Sequence, residues 1–228
     1  MKDKMNILDV GIDCLSAKEA MKAAVGFMEG APINTIEIVT LDMLMRGQDN
    51  PSWKEDTSKL DLMLPGEREI LEAAGIEDKN LIRDVENKTF LKMFLKYLQK
   101  NHYKTFLMTE SDEETHKLEE TIRQYNHGIR IAGCSVLSAK DRLEEDLVND
   151  IINDINGTET DCILSVLTAP HQEAFIAANS ALLNARLWLG CGMFLKENYM
   201  DKKTYGRIRY FFLKKIFRYQ VEKEKKEN

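Results

Sequence analysis

Six short apolar runs recur along the chain with helix-forming segments between them: INTIEIVT (33–40), LDLML (60–64), YKTFLM (103–108), IRIAGC (129–134), CILSVL (162–167) and ARLWLG (185–190). Each is of strand length and hydrophobic with little alternation, the pattern of a strand covered on both faces. Strands of this kind alternating with helices from about residue 5 to residue 190 predict an α/β fold with a mainly parallel sheet.

The helix starts are written in the same stretches. A Ser or Thr with a carboxylate three residues on can satisfy the free N–H groups of a helix N-terminus. Ser16 with Glu19 and Ser111 with Glu114 form such pairs, and Ser138 with Asp141 forms a weaker one. Apolar residues follow at helical spacing, and each series closes near a glycine. The series are Met21, Val25 and Met28 before Gly30; Leu118, Ile122 and Tyr125 before Gly128; and Leu143, Leu147, Ile151 and Ile155 before Gly157. NKTFLKMFLKYLQKN (87–101) reads as a further amphipathic helix, and VENK (85–88) as a candidate boundary between two halves.

Composition narrows the class. With 43% hydrophobic and 31% charged residues, the chain is an ordinary globular one. It holds no apolar run of about 18 residues, and its opening lacks the basic-then-apolar pattern of a signal peptide, so a cytoplasmic location is expected. Cys14, Cys134, Cys162 and Cys191 are scattered without a C-x-x-C pair and are expected to be buried thiols. His116 and Glu120 lie one helical turn apart, but two ligands do not make a metal site, and a solvated helix face explains them.

In open α/β sheets, ligands gather at the carboxyl ends of the strands, where helix N-termini offer N–H groups and positive dipole. Four turns qualify, after Thr40, Leu64, Cys134 and Leu167. The last, TAPHQEAF (168–175), places Pro170, Gln172 and Glu173 at the mouth of a strand-to-helix turn. An amide can both donate to and accept from a base or sugar hydroxyl, and a carboxylate can hold a diol. The same two residues are equally suited to starting a helix over about 171–183.

ILDVGIDCLSAKEAM (7–21), IVT (38–40), LDLMLPGE (60–67) and SVLTAPHQEAFIAANSALLNARLWLGCGMF (165–194) together resemble the bacterial WecG/TagA/CpsF glycosyltransferases over about residues 7–197. The resemblance implies a Rossmann-like α/β core over 1–197. It also implies transfer of an N-acetylhexosamine such as N-acetylmannosamine from a UDP-sugar to a polyprenyl-diphosphate-linked sugar in teichoic acid or related envelope polysaccharide synthesis. No cofactor or bound metal is implied, and the sequence holds no D-x-D. On these grounds Thr40, Thr168, Pro170, Gln172, Glu173, Gly190 and Gly192 are the expected donor-binding residues.

Departures from the family pattern bear on catalysis. The Asp usually found after Leu-Pro, proposed as general base, is replaced by Gly66, with Glu67 one residue later. Glu67 and Asp42 are the candidate bases. Asp42 replaces the family's Asn, and a carboxylate about 4 Å from a diphosphate would be repelled by roughly 4 kcal/mol at an effective dielectric near 20. Thr168 stands where the family has glycine, His171 where it has a basic residue, and Leu195 where it has an acid. A catalytically impaired protein that binds sugar nucleotides or docks as a regulator is the alternative expectation.

Residues 198–228 form a basic, aromatic tail. KKTYGRIRYFFLKKIFRY (202–219) holds seven Lys or Arg and no acid, so the formal charge of −6 becomes −13 on the rest of the chain. A helix here would place Ile208, Phe211, Phe212, Ile216 and Tyr219 near one face, among basic residues, as in a helix lying on an anionic membrane. Arg207 and Arg209 are the candidates for stabilising a departing diphosphate. Packing of the stripe on the body or on a second copy competes with membrane binding. Nucleic-acid binding is not expected, because the body is acidic.

Overall fold

The computed structural model describes residues 4–30, 32–138, 144–196 and 204–227. The chain opens with an antiparallel hairpin, β1 (Lys4–Ile7) and β2 (Val10–Asp13), followed by α1 (Ala17–Met28) and β3 (Asn34–Val39). Next come α2 (Leu41–Gly47), α3 (Trp53–Ser58), β4 (Leu62–Pro65), α4 (Arg68–Ala73), α5 (Lys79–Glu86) and α6 (Thr89–Lys100). Then follow β5 (Lys104–Thr109), α7 (Asp112–Tyr125), β6 (Arg130–Val136), α8 (Glu145–Gly157) and β7 (Cys162–Ser165). The described chain closes with α9 (His171–Asn179), β8 (Leu187–Gly190), α10 (Gly192–Lys196) and α11 (Thr204–Glu227).

Each of the six apolar runs supplies one strand of a single sheet. Its order is β4-β3-β8-β7-β5-β6, and every pairing is parallel. The fold is α/β, as expected. Since β8 pairs directly with β3, one sheet takes strands from both sides of residues 85–88, which comprise the end of α5 and the turn into α6.

The strands read as continuous because both faces are covered. On β8, Trp188 joins the core beneath α2, α3, α8, α9 and α11, while Leu187 and Leu189 join the one beneath α1, α6, α7 and α10. On β7, Ile163 and Leu164 divide in the same way. Alternation along β3 turns Ile36 and Ile38 to the second core and leaves Thr35, Glu37 and Val39 for the first, so a carboxyl group is buried in the interior of the sheet.

The Ser16–Glu19 pair forms a complete capping box at α1. Ser111 caps α7, but the Glu114 carboxylate accepts from the N–H of Glu110 and not from that of Ser111. Asp141 and Leu143 lie outside the described residues. The expectation of four buried thiols is corrected: Cys162 and Cys191 are buried, whereas Cys14 is half-buried and Cys134, on edge strand β6, is exposed.

Within the C-terminal tail, α11 packs on the body by a different face from the stripe singled out in the sequence. Phe217 and Val221 are buried, with Tyr210 and Leu213 against the same core. Spacing of three to four residues puts these four on one side. Lys214 pairs with Glu69, and Lys225 donates to the Ala73 carbonyl at 2.7 Å. Glu224 accepts the N–H groups of Leu8 and Asp9 at 3.0 and 3.2 Å, which pins a hairpin turn whose two residues have φ of 52° and 62°. Phe211, Phe212, Ile216 and Tyr219 remain outward, 48–69% exposed. Among the described residues no helix is long and apolar enough to cross a membrane.

Removing a buried aromatic from this contact should be felt by the whole fold. Phe217→Ala is expected to lower stability by roughly 3 kcal/mol or more in urea unfolding. A change under about 1 kcal/mol, the range of ordinary surface substitutions, would show that α11 is not part of the core.

Candidate functional site

The carboxyl ends of β3, β4, β7 and β8 converge on one corner of the sheet. Thr40 follows β3 as the N-cap of α2, its hydroxyl accepting the Met43 N–H at 3.2 Å, and it is almost fully buried. Asp42, in the first turn of α2, accepts from Arg46 Nε at 2.6 Å. An acid placed four residues before a base on a helix is the favourable order for such a pair. Arg46 therefore offsets the negative charge that would repel a phosphate.

Gly66 occupies the position after β4 where a carboxylate was expected. Its N–H donates to the Val39 carbonyl at 2.8 Å, and a Cβ on it would lie 2.7 Å from that same oxygen. The turn after β4 thus runs too close to β3 for a side chain. Glu67 begins the next helix at the N-cap of α4 without capping it; its carboxylate crosses to accept the Leu41 N–H at 2.8 Å and the hydroxyl of Tyr210 on α11. One side chain thereby joins the turn after β3, the turn after β4 and the tail.

Thr168, after β7, gives both its N–H and its hydroxyl to Glu110, at 2.9 and 2.8 Å. Glu110 also accepts from Lys196, a residue only 3% exposed, at 2.7 Å, and Lys196 reaches Glu114 at 2.9 Å. Burial pushes the Glu110 carboxyl up, but the lysine and the threonine outweigh it and hold the group below the usual range. Arg46, Asp49, Glu110, Thr168, Pro170 and His171 border a cleft of about 450 Å³.

Gln172 and Glu173, in the first turn of α9, point inward and are 1% and 0% exposed. Gln172 Nε2 donates to Glu37 Oε1 at 2.6 Å. Glu37 Oε2 and Gln172 Oε1 have no hydrogen-bond partner, whereas the Glu173 carboxyl faces the Trp53 indole. Gly190 is the strand partner of Glu37, and a Cβ there would fall 1.9 Å from Glu37 Oε2, so the glycine makes room for the carboxyl. Gly192, at φ +40°, lines a cavity of about 10 Å³ with Thr40, Asp42, Glu37, Gln172 and Glu173. Burial, and then the neighbouring Glu173, push Glu37 well up; burial also pushes Glu173 up to about 7.

The backbone of Arg207 and Arg209 belongs to α11, and their side chains lie outside those described. Among the described residues no group of three or more His, Cys, Asp or Glu is placed to hold a metal ion. Glu37, Arg46, Glu110 and Lys196 were not singled out in the sequence: Glu37 lies within β3 and Glu110 just after β5, while Arg46 and Lys196 lie in the last turn of the short helices α2 and α10, and the Glu in the otherwise apolar INTIEIVT is the signal that could have been read.

Residues 5–196 match the sequence model of the glycosyl transferase WecG/TagA/CpsF family. The chain belongs to this family. No curated protein matches it. Membership supports a glycosyltransferase role in cell-envelope polysaccharide synthesis. In this WecG/TagA/CpsF chain, Thr40, Asp42, Gln172, Glu173 and Gly192 come together around one cavity, while Thr168, Pro170 and His171 border the adjoining cleft.

The raised carboxyl of Glu173 has a sign that can be tested. Folded protein holds its proton up to about pH 7, whereas the unfolded chain releases it near 4.5. Its contribution is therefore present in full below about 4.5 and is lost as pH rises through 7. The loss is roughly 3 kcal/mol, an order-of-magnitude figure for a fully buried group beside Glu37. Urea unfolding of the wild type and of Glu173→Gln at pH 5 and pH 8 should show a smaller fall in the variant, and parallel falls would contradict the assignment.

Proposed function

We propose that the protein transfers an N-acetylhexosamine, such as N-acetylmannosamine, from a UDP-sugar to a polyprenyl-diphosphate-linked sugar, with inversion at the anomeric carbon and without a bound metal. The observation that carries this is the convergence of Thr40, Asp42, Glu67, Gln172, Glu173 and Gly192 at the carboxyl ends of β3, β4, β7 and β8 in a chain of this family. In open α/β sheets this is where nucleotides bind.

In this scheme the donor lies across the cleft between α2 and α9. Glu67 takes the proton of the acceptor hydroxyl as that oxygen attacks the anomeric carbon, and the bond from that carbon to the UDP oxygen breaks. The N–H groups at the start of α9, together with Arg207 or Arg209, meet the charge developing on the leaving diphosphate. Asp42, already paired with Arg46, is the less suited base. An acceptor hydroxyl has to compete with Tyr210 for the Glu67 carboxylate, which puts tail and chemistry in the same place.

The outward face of α11 suits the lipid-linked acceptor. Phe211, Phe212, Ile216 and Tyr219 are exposed beside Lys215 and Arg218, the composition of a helix that rests on an anionic membrane at the inner face of the cell membrane. Association with a second copy through the same stripe is the competing use.

One observation favours a second function, a sugar-nucleotide-binding protein without turnover: Gly66 leaves no room for the family's carboxylate at that position. The two are separated by Glu67→Gln. As an enzyme, the variant should lose turnover while UDP still raises its melting temperature; ligand at about 100 times its dissociation constant adds about 2.7 kcal/mol of stability. Equal rates in the two proteins would remove Glu67 as base, and UDP binding with no transfer by the wild type would favour the non-catalytic protein.

A further inference from the structure

Glu37 is buried in the middle of β3, and no step of the proposed reaction uses it. Its carboxyl lies across Gly190 and takes one amide hydrogen of Gln172 at 2.6 Å. An amide held in this way has its nitrogen committed, and its oxygen must face elsewhere. Gln172 Oε1 is buried without a partner, and Gln172 lines the cavity of about 10 Å³. Glu37 Oε2 also has no partner, and Glu37 and Glu173 line the same cavity. That volume admits one water-sized group.

We infer that Glu37 is a positioning residue for substrate specificity: by holding the Gln172 amide nitrogen it turns the carbonyl toward the ligand, and the wall so formed selects a hydroxyl or N–H of the sugar moiety and not the diphosphate. The inference rests on the proposed donor site. Two buried oxygens without partners, Gln172 Oε1 and Glu37 Oε2, belong to residues that line this cavity, and burial raises both carboxyl groups beside them. Gln172 Oε1 is a buried acceptor without a donor, so a hydrogen-bond donor is the chemistry that completes the site and an anion is the chemistry it rejects. A single sugar hydroxyl has the size of the cavity. The diphosphate is then left to the wider cleft, where Arg46 and His171 stand.

The test compares binding of UDP and of UDP-N-acetylglucosamine by calorimetry, using the full chain. Wild type should bind the sugar nucleotide more tightly than UDP. Glu37→Met keeps the volume but removes the acceptor, which frees the amide to turn; it should weaken the sugar nucleotide by roughly tenfold, the worth of one well-made hydrogen bond, and leave UDP unchanged. Glu37→Gln still offers an oxygen to the Gln172 nitrogen and should restore the preference to within about twofold. A purely structural role would instead weaken both ligands together. If Glu37→Met does not fold, Gln172→Met, which removes the oriented carbonyl itself, must lose the same preference. Equal ratios of the two affinities in wild type and the Met variants would overturn the inference, as would wild-type protein that binds UDP and the sugar nucleotide equally. Wild type that binds neither would overturn the donor site itself.

Discussion

Glu37 stands inside a sheet whose other buried polar side chains are threonines and serines, and its burial constrains the carboxyl end of the fold around it. An isolated carboxylate there would be costly enough that the group keeps its proton or finds donors. Gln172 supplies one donor from the far side of the cleft, and Gly190 vacates the space the carboxyl occupies. The first contact holds the start of α9 over β3, and the second requires glycine at the end of β8, the strand between β3 and β7. Residues that look like separate features of a ligand site are therefore coupled through one buried group.

A second carboxylate, Glu67, does for the tail what Glu37 does for the sheet. It reaches the N-terminus of α2 and the hydroxyl of Tyr210, with Lys214 over the Tyr210 ring at 4.4 Å and paired to Glu69. Docking of α11 and the position of the candidate base are thus one structural event. The buried face of α11 carries Phe217 and Val221, so the outward aromatics are not needed to hold the helix down. That separation is what allows one helix both to belong to the core and to present an apolar, basic surface.

The strands and the longer helices were legible because their signals are local. Continuous apolar runs mark strands covered on two faces, and Ser16 with Glu19 is a complete helix start within four residues. α2, α3 and α4 are six or seven residues long, too short for a hydrophobic period to show, and they passed unnoticed. Site partners were hidden for a different reason: Glu37 and Gln172 are 135 residues apart, Glu67 and Tyr210 are 143 apart, and Glu110 and Lys196 are 86 apart. No local pattern encodes such pairs. The tail contained two apolar stripes, and the more hydrophobic one drew attention although the other, through Tyr210, Leu213, Phe217 and Val221, meets the core.

The replacement of an acid by Gly66 follows from the same geometry. The turn after β4 is bonded to the Val39 carbonyl so closely that even a methyl group at Gly66 would displace backbone. Restoring an Asp there would have to push β4 away from β3, which parallel pairing along Ile36–Val39 resists. A carboxylate can be delivered to this corner only from a neighbouring position, and Glu67, whose side chain already lies over the start of α2, is where the chain provides one. The departure in sequence is thereby accompanied by a second carboxylate close to the same corner, the one that the C-terminal helix holds through Tyr210.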